Sequence, residues 1–529
     1  MDRYSTLLCL PLVAYAIYRR FTRTSLSQLR GPKSTSFLFG NLLDLYQSMA
    51  GEAEFRWKNL YGSVVRVKGI LGEDQLVVSD PKALSRILSS ASQQFPKVPE
   101  RRILTFLLLG KGIIWAEGDI HKRQRKILNP GFGAAESRAF LTVSQASAQS
   151  MVARWMEVVN TGNSDKVVLD IPSWVSRATL DAIGQGAFDV QLGCLDNSEI
   201  PLAKGYQGMM MSVFGTPSVL QIFIQEALKY IPQSIVKYWV KHTPNHRAAR
   251  LREAESLLQG KGSRDIFTLL VKANMDAEAK NKLSDEELYS QMRVILFAGH
   301  ETTSNTIGWT LLELARKPAI QSRLRSEIRQ HESAIRARGD TQFTASDLEN
   351  MPYLNAVVKE TLRYHCVVPQ LYRMAAQDYV LPLSQPITTK SGELLHEVLV
   401  PKGTRVIASV AAYNRNKDMW GEDADVYNPD RWLDGIAKDK KEVATGVYSS
   451  LLTFGSGPHA CLGWRFATIE VQAFLVEIFG QFEISLTEEA KRVRRELCLL
   501  VMVPAVEGEI AGGVQLPLAI SVAPRDEEA

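Results

Sequence analysis

The stretch that most constrains this chain is Phe454-Gly455-Ser456-Gly457-Pro458-His459-Ala460-Cys461-Leu462-Gly463, followed directly by an apolar, helix-like run from Trp464 to Phe479. Three glycines and a proline make a stiff loop of bare backbone that feeds a helix start. Unpaired N–H groups and the dipole at such a start favour an anion, so Cys461 is expected as a thiolate rather than a thiol. Glycine on both sides lets a flat ligand approach the sulfur without meeting side chains. A merely structural cysteine needs no glycine two residues after it and four before it.

This loop resembles the haem-ligand signature of the cytochrome P450 superfamily, Phe-x-x-Gly-x-x-x-Cys-x-Gly, complete at Phe454, Gly457, Cys461 and Gly463. His459 stands where the family usually has arginine. The resemblance implies that Cys461 ligates the iron of haem b and that His459 approaches a haem propionate. It also implies a mainly α fold with small β-sheets, in which a small N-terminal β region adjoins a helical haem-binding core.

The chain of 529 residues has ordinary globular composition and shows no Gly/Ser-rich or Pro-rich linker after its first forty residues, so one large unit is expected. A net charge of +5 is too diffuse for a nucleic-acid partner. Cys9, Cys194, Cys366, Cys461 and Cys498 are odd in number, scattered and without a Cys-x-x-Cys pair. That excludes a disulfide framework and argues against zinc or iron–sulfur sites.

An apolar stretch from Ser5 to Tyr18 precedes Arg19 and Arg20. It is shorter than the roughly 20 residues of a full span, and Ala14-Tyr15-Ala16 would suit a cleaved signal peptide. The basic residues lie mainly after the run, which favours a retained anchor with the remainder in the cytosol. The expected division is residues 1–20 as membrane anchor, 21–45 as a basic linker containing Gly31-Pro32, and 46–529 as the catalytic domain.

Residues 63–68 and 75–78 alternate as two strands of a hairpin, and Ser79-Asp80-Pro81 starts a helix. Arg101 and Arg102 precede an apolar loop, Ile103 to Leu109. His121 and Arg125 share one face of a helix that ends before Asn129-Pro130. In the family this pair reaches the haem propionates, leaving Lys122, Arg123 and Lys126 for an acidic partner. Between residues 135 and 280 the chain is helix-rich. Its apolar pieces, Met209 to Met211 and Pro217 to Ile224, fall where family members form the substrate entrance and touch the membrane. Val514 to Leu518 and Ile520 to Val522 suit a closing hairpin.

Ser284-Asp285-Glu286-Glu287 is a capping box ahead of a long apolar helix. In its middle, Ala298-Gly299-His300-Glu301-Thr302-Thr303 sets a glycine, an acid and two hydroxyls in apolar surroundings. Such rule-breaking marks function, and the stretch resembles the family's oxygen-activation motif. The resemblance assigns Thr302 to positioning dioxygen and water, and Glu301 to feeding protons from solvent, through a local opening of the helix. Glu360 and Arg363, followed by Arg431 in Asn428-Pro429-Asp430-Arg431-Trp432, resemble the network that locks the haem core. Arg373 occupies the family's second propionate position, with Val367, Val368 and Leu371 beside it as pocket wall.

The implied activity is insertion of one oxygen atom from O2 into a lipophilic small molecule. The electrons would come from a separate NADPH-cytochrome P450 reductase at the endoplasmic reticulum membrane. The Arg-Gly-Pro hinge and the His121 to Leu128 stretch look like fungal members, which suggests terpenoid or other secondary metabolism. Alternatives are a fatty-acid, sterol or xenobiotic hydroxylase, a haem-thiolate isomerase, and a non-catalytic haem protein.

Overall fold

In the computed structural model, residues 26–162, 165–196, 217–230, 266–433, 445–498 and 500–524 are described. The expected anchor and Met209 to Met211 lie outside them. Among the described residues no helix is long and apolar enough to cross a membrane.

The first hairpin forms as its alternation requires: β1 (Val64–Lys68) pairs antiparallel with β2 (Asp74–Val78). These strands join two that come from far along the chain, β4 (Gln370–Met374) and β7 (Arg405–Ser409), in the order β1-β2-β7-β4. The helix after β2 begins at Pro81, and the Asp80 carboxylate accepts from the Ala83 N–H (2.9 Å). Leu26 and Leu29 are buried against this sheet region, and the Arg66 N–H donates to the Arg30 carbonyl. The folded body therefore reaches back to Leu26, which corrects the expected boundary at residue 46.

Six helices position the site. They are α1 (Pro99–Leu109), α2 (Gly118–Leu128), α3 (Ala134–Thr161), α4 (Ile171–Phe188), α5 (Val219–Ala227) and α6 (Asp285–Arg316). The expected loop at Ile103 to Leu109 is helix instead. Pro99 presets the first turn after extended Val98, good helix formers such as Glu100, Arg101, Arg102 and the leucines carry it on, and Gly110 stops it at φ +79°. The capping box at Ser284 forms on both sides, and α6 then runs unbroken for ~48 Å. It passes through the largest apolar core, where it packs on α4 and on α9 (Trp464–Gln481). Between them lie α7 (Pro318–Ala337) and α8 (Pro352–Tyr364).

The chain ends differently from the expected hairpin. Residues 517–522 form one strand, β11, between β3 (Val167–Asp170) and β8 (Phe482–Leu486). The terminal hairpin is formed earlier, by β9 (Val493–Cys498) and β10 (Val501–Val506). β5 (Tyr379–Thr388) and β6 (Leu394–Val400) make a separate ribbon.

Candidate active site

Cys461 leaves the glycine loop just before α9 and faces a cavity of about 410 Å³. The Cys461 N–H donates to the Phe454 carbonyl (2.8 Å), and the Ala460 N–H to that of Gly457 (3.1 Å). Gly457 sits at φ +64°, and a Cβ on it would lie 2.4 Å from the Leu88 carbonyl oxygen, so the loop requires glycine there. At Gly463 a Cβ would meet nothing nearer than Phe132, at 3.8 Å. That residue keeps open space beside the sulfur, as a flat ligand needs.

The sulfur is exposed to the cavity yet lies deep within the protein. Burial pushes the thiol up, and the Gly463 N–H and the Arg125 charge act against it without prevailing. This corrects the expectation that the helix start alone makes a thiolate: desolvation outweighs one N–H and one neighbouring charge. A thiolate here depends on a bound metal, which deprotonates its ligand thiol.

Across the cavity stand Ala298, Gly299, Thr302 and Thr303 of α6. The Thr302 hydroxyl donates to the Ala298 carbonyl (2.7 Å) and that of Thr303 to Gly299 (3.2 Å). The helix is not opened at this point; the threonines bond back to it instead. Gly299 also has a packing reason, since a Cβ there would come within 2.8 Å of Ile183 on α4. Glu301 does not line the cavity. It is buried on the other side of α6, with the Ser176 hydroxyl donating to it (3.3 Å) and His300 Nε2 at 3.2 Å.

The predicted propionate ligands do converge. His121, Arg125, Arg373 and His459 all line the cavity, together with Phe454, Cys461 and Gly463. The His121 and His459 rings lie 4.2 Å apart, and His459 Nε2 is 3.4 Å from Glu117. Burial and the surrounding cations push His121 down to about 3, and burial lowers His459 as well. Both rings are therefore neutral near pH 7. His459 Nδ1 is buried without a partner among the described residues. Arg125 donates to the Ala460 carbonyl (2.7 Å) and Arg373 to that of Tyr372 (2.9 Å). Behind the cysteine loop, Glu360, Arg363 and Arg431 form the expected network, all three buried, with Arg363 and Arg431 both bonded to the Glu360 carboxylate.

Sequence reasoning missed three residues. Lys97 reaches the cavity with its Nζ on the Ile114 (2.6 Å) and Ala116 (2.9 Å) carbonyls. Glu117 meets both Lys97 and His459, and against its burial the His459 hydrogen bond and the Lys97 charge hold its carboxyl down at about 2. Glu470 on α9 lines the cavity, fully buried, with Thr303 bonded to it and Oε1 unpartnered among the described residues. Burial pushes its carboxyl well above the usual range. An acid inside the apolar run after Cys461 was the available signal for Glu470; for Lys97 there was none.

A thiol, open space over Gly463, a ring of cations and an orphaned imidazole nitrogen together fit a haem with its propionates toward Arg125, Arg373, Lys97 and the two histidines. The comparisons with known proteins agree. The family profile described as Cytochrome P450 matches residues 30–510. Cytochrome P450 monooxygenase claQ of Ampulloclitocybe clavipes is 32% identical, over 96% of this chain and 96% of that protein. Cytochrome P450 monooxygenase 205 of Postia placenta is 31% identical, over 94% and 92%. Ganoderic acid synthetase of Ganoderma lucidum is 31% identical, over 89% and 90%. With a profile over most of its length, full-length fungal relatives and the thiol, cations and threonines gathered round one cavity, this chain belongs to the cytochrome P450 family and is a haem-thiolate monooxygenase of fungal type.

Proposed function

We propose that the protein oxygenates a lipophilic small molecule in fungal secondary metabolism, terpenoid biosynthesis being the nearest case. Its electrons would come from a membrane-bound, NADPH-dependent reductase, with the catalytic domain on the cytosolic side of the endoplasmic reticulum membrane. The observation that carries this reading is that Cys461 and Thr302 line one cavity, together with Ile295, Ala298, Val367, Val368 and Leu371. The name of the Ganoderma relative, a ganoderic acid synthetase, supports a secondary-metabolic setting.

A thiolate-ligated haem, when bound, supplies one-electron chemistry and cleavage of the oxygen–oxygen bond. Cys461 would ligate it. Arg125, Arg373 and Lys97 would neutralise its propionates, and His121, neutral at pH 7, would offer them an N–H donor, while His459 gives its own N–H to Glu117. The Thr302 hydroxyl turns from the Ala298 carbonyl to hold water and relay a proton at its Oγ1. Glu301 supplies that proton after leaving Ser176 and His300. The apolar wall excludes bulk water and receives the hydrocarbon.

Two features support membrane association. The apolar run Ser5 to Tyr18 is followed by arginines. On α5, Leu220 is 65% and Ile224 51% exposed, while Phe223 meets Phe39 in an edge contact at 6.5 Å. Single apolar residues are common on surfaces, but a row along one helix is not. The test is reconstitution with reductase, NADPH and 18O2 on a panel of terpene scaffolds. One labelled oxygen per product molecule is expected. Unlabelled product, or product formed without NADPH, would indicate an isomerase and overturn the reading.

A further inference from the structure

The cavity lining contains five basic side chains, Lys97, Arg101, Arg102, Arg125 and Arg373, against a single acid, Glu470. Four of the five cations are accounted for. Lys97 has Glu117 at 3.8 Å. Arg125 and Arg373 are the residues that would meet the haem propionates. Arg101 lies over the Tyr372 ring (4.4 Å) in the field of Glu226. Arg102 is different. Its Nε donates to the Trp115 carbonyl (3.2 Å) and its guanidinium lies over the Trp115 ring (5.0 Å). Among the described residues it has no acidic partner.

A second polar group aims at the same place. Gln291 on α6 is 1% exposed and lines the cavity. Its Oε1 accepts from the Ile113 N–H (3.0 Å), which fixes the orientation of the amide, and its Nε2 is left without a partner among the described residues. Gln291 and Arg102 are therefore anchored two residues apart on one short segment, at Ile113 and Trp115, a span of at most about 7 Å. Both present spare N–H donors to the cavity. Gln291 is buried, and buried donors are rarely left unanswered; Arg102 is half-buried beside it, and a guanidinium beside a carboxamide N–H2 matches a carboxylate.

We propose that this cavity takes a lipophilic carboxylic acid, its carboxylate held by Arg102 and Gln291 and its hydrocarbon body lying along α6 toward Thr302. The idea rests on the monooxygenase reading above and narrows its substrate class. Gln291 and Thr302 are separated by about 16 Å along the axis of α6. Oxygen is therefore placed far from the carboxylate, on a substrate about that long.

The experiment uses the full-length haem protein and two matched pairs, dehydroabietic acid with its methyl ester and palmitic acid with its methyl ester. Binding is read from the substrate-induced shift of the Soret band, and haem content from the carbon-monoxide difference spectrum. At least one acid is expected to bind about tenfold or more tighter than its ester, the range of a charge-assisted hydrogen bond. Arg102→Met should abolish that preference at unchanged haem content, Arg102→Lys should restore part of it, and Gln291→Leu should reduce it. Equal binding of acid and ester, binding of none of the four, or an acid preference that survives Arg102→Met would overturn the proposal. So would loss of haem from Arg102→Met, which would make Arg102 a propionate ligand instead. Turnover is scored separately with reductase. Acid preference without oxygenated product removes the monooxygenase reading alone, and product from esters without acid preference removes the acid site alone.

Discussion

Replacing Arg363 by lysine isolates what the buried network contributes. Arg363 and Glu360 are both fully buried. The guanidinium makes five hydrogen bonds: two to the Glu360 carboxylate (2.8 and 2.7 Å) and one each to the carbonyls of Asn414 (3.0 Å), Ala424 (2.6 Å) and Val426 (3.0 Å). A lysine ammonium keeps the charge but has three donors and no planar fork. At least two acceptors then lose their partner in a dry site, at about 1–3 kcal/mol each. The loss is therefore about 2–6 kcal/mol, a range that includes the cost of breaking a buried ion pair and makes up a large part of the stability of an ordinary fold. The assay is haem per protein together with the thermal midpoint. The control is Lys491→Ala in the exposed Lys491–Glu488 pair (2.5 Å), where about 0–1 kcal/mol is expected. Arg363→Lys should yield little haem-loaded protein and a clearly lowered midpoint. Normal haem and midpoint with lost turnover would refute the structural role and make the residue catalytic.

Three further outcomes are expected. Cys461→Ser should remove the red-shifted carbon-monoxide band of the reduced protein, and survival of that band would move the ligand elsewhere. Thr302→Ala should leave haem and substrate binding intact while diverting NADPH electrons from product to hydrogen peroxide; unchanged coupling would hand the role to water or Thr303. Burial of Glu470 raises its folded pKa, so the folded state holds this proton more tightly than the unfolded chain, and stability falls as pH climbs above the ordinary glutamate range. The advantage of Glu470→Gln in thermal midpoint should then grow from about pH 5 to about pH 8, whereas a constant difference would show an ionised carboxyl in the folded protein.

What could be read from the sequence was local or carried by a dense motif. The capping box at Ser284, the β1–β2 alternation and the glycine loop each place all their determinants within one short local stretch, and each folds as expected. The errors came where long-range packing decides. The segment Ile103 to Leu109 lacks the polar side of a surface helix and reads as loop, yet it is helical because its faces meet the cavity and α6. The last residues were expected to pair with each other, and β11 instead fills a gap between β3 and β8, strands remote in sequence. Lys97 and Gln291 are ordinary polar residues in the sequence. Only the loop at residues 113–116, which both of them touch, brings them together. Glu301 shows the reverse: its motif was legible, but a helix face follows from the phase of α6, and that phase turns its carboxylate to Ser176 rather than to the cavity.

Electrostatics alone would make the glycine loop a thiolate site; the structure moves the weight to shape. If the start of α9 made the thiolate, the Cys461 thiol would be lowered; burial raises it. The charge on sulfur would then come from a bound metal, and the glycines answer to geometry. Gly457 lets the loop pass against the Leu88 carbonyl, and Gly463 leaves room over the sulfur. The helix start acts afterwards. Once the thiolate exists, the Gly463 N–H bonded to it draws electron density from the sulfur, as outer hydrogen bonds do for metal ligands in general. The nearby Arg125 charge acts in the same sense. One loop thus separates its tasks: backbone conformation makes room for the ligand, a bound metal would fix the charge, and the N–H at the helix start would adjust how much of that charge the sulfur donates.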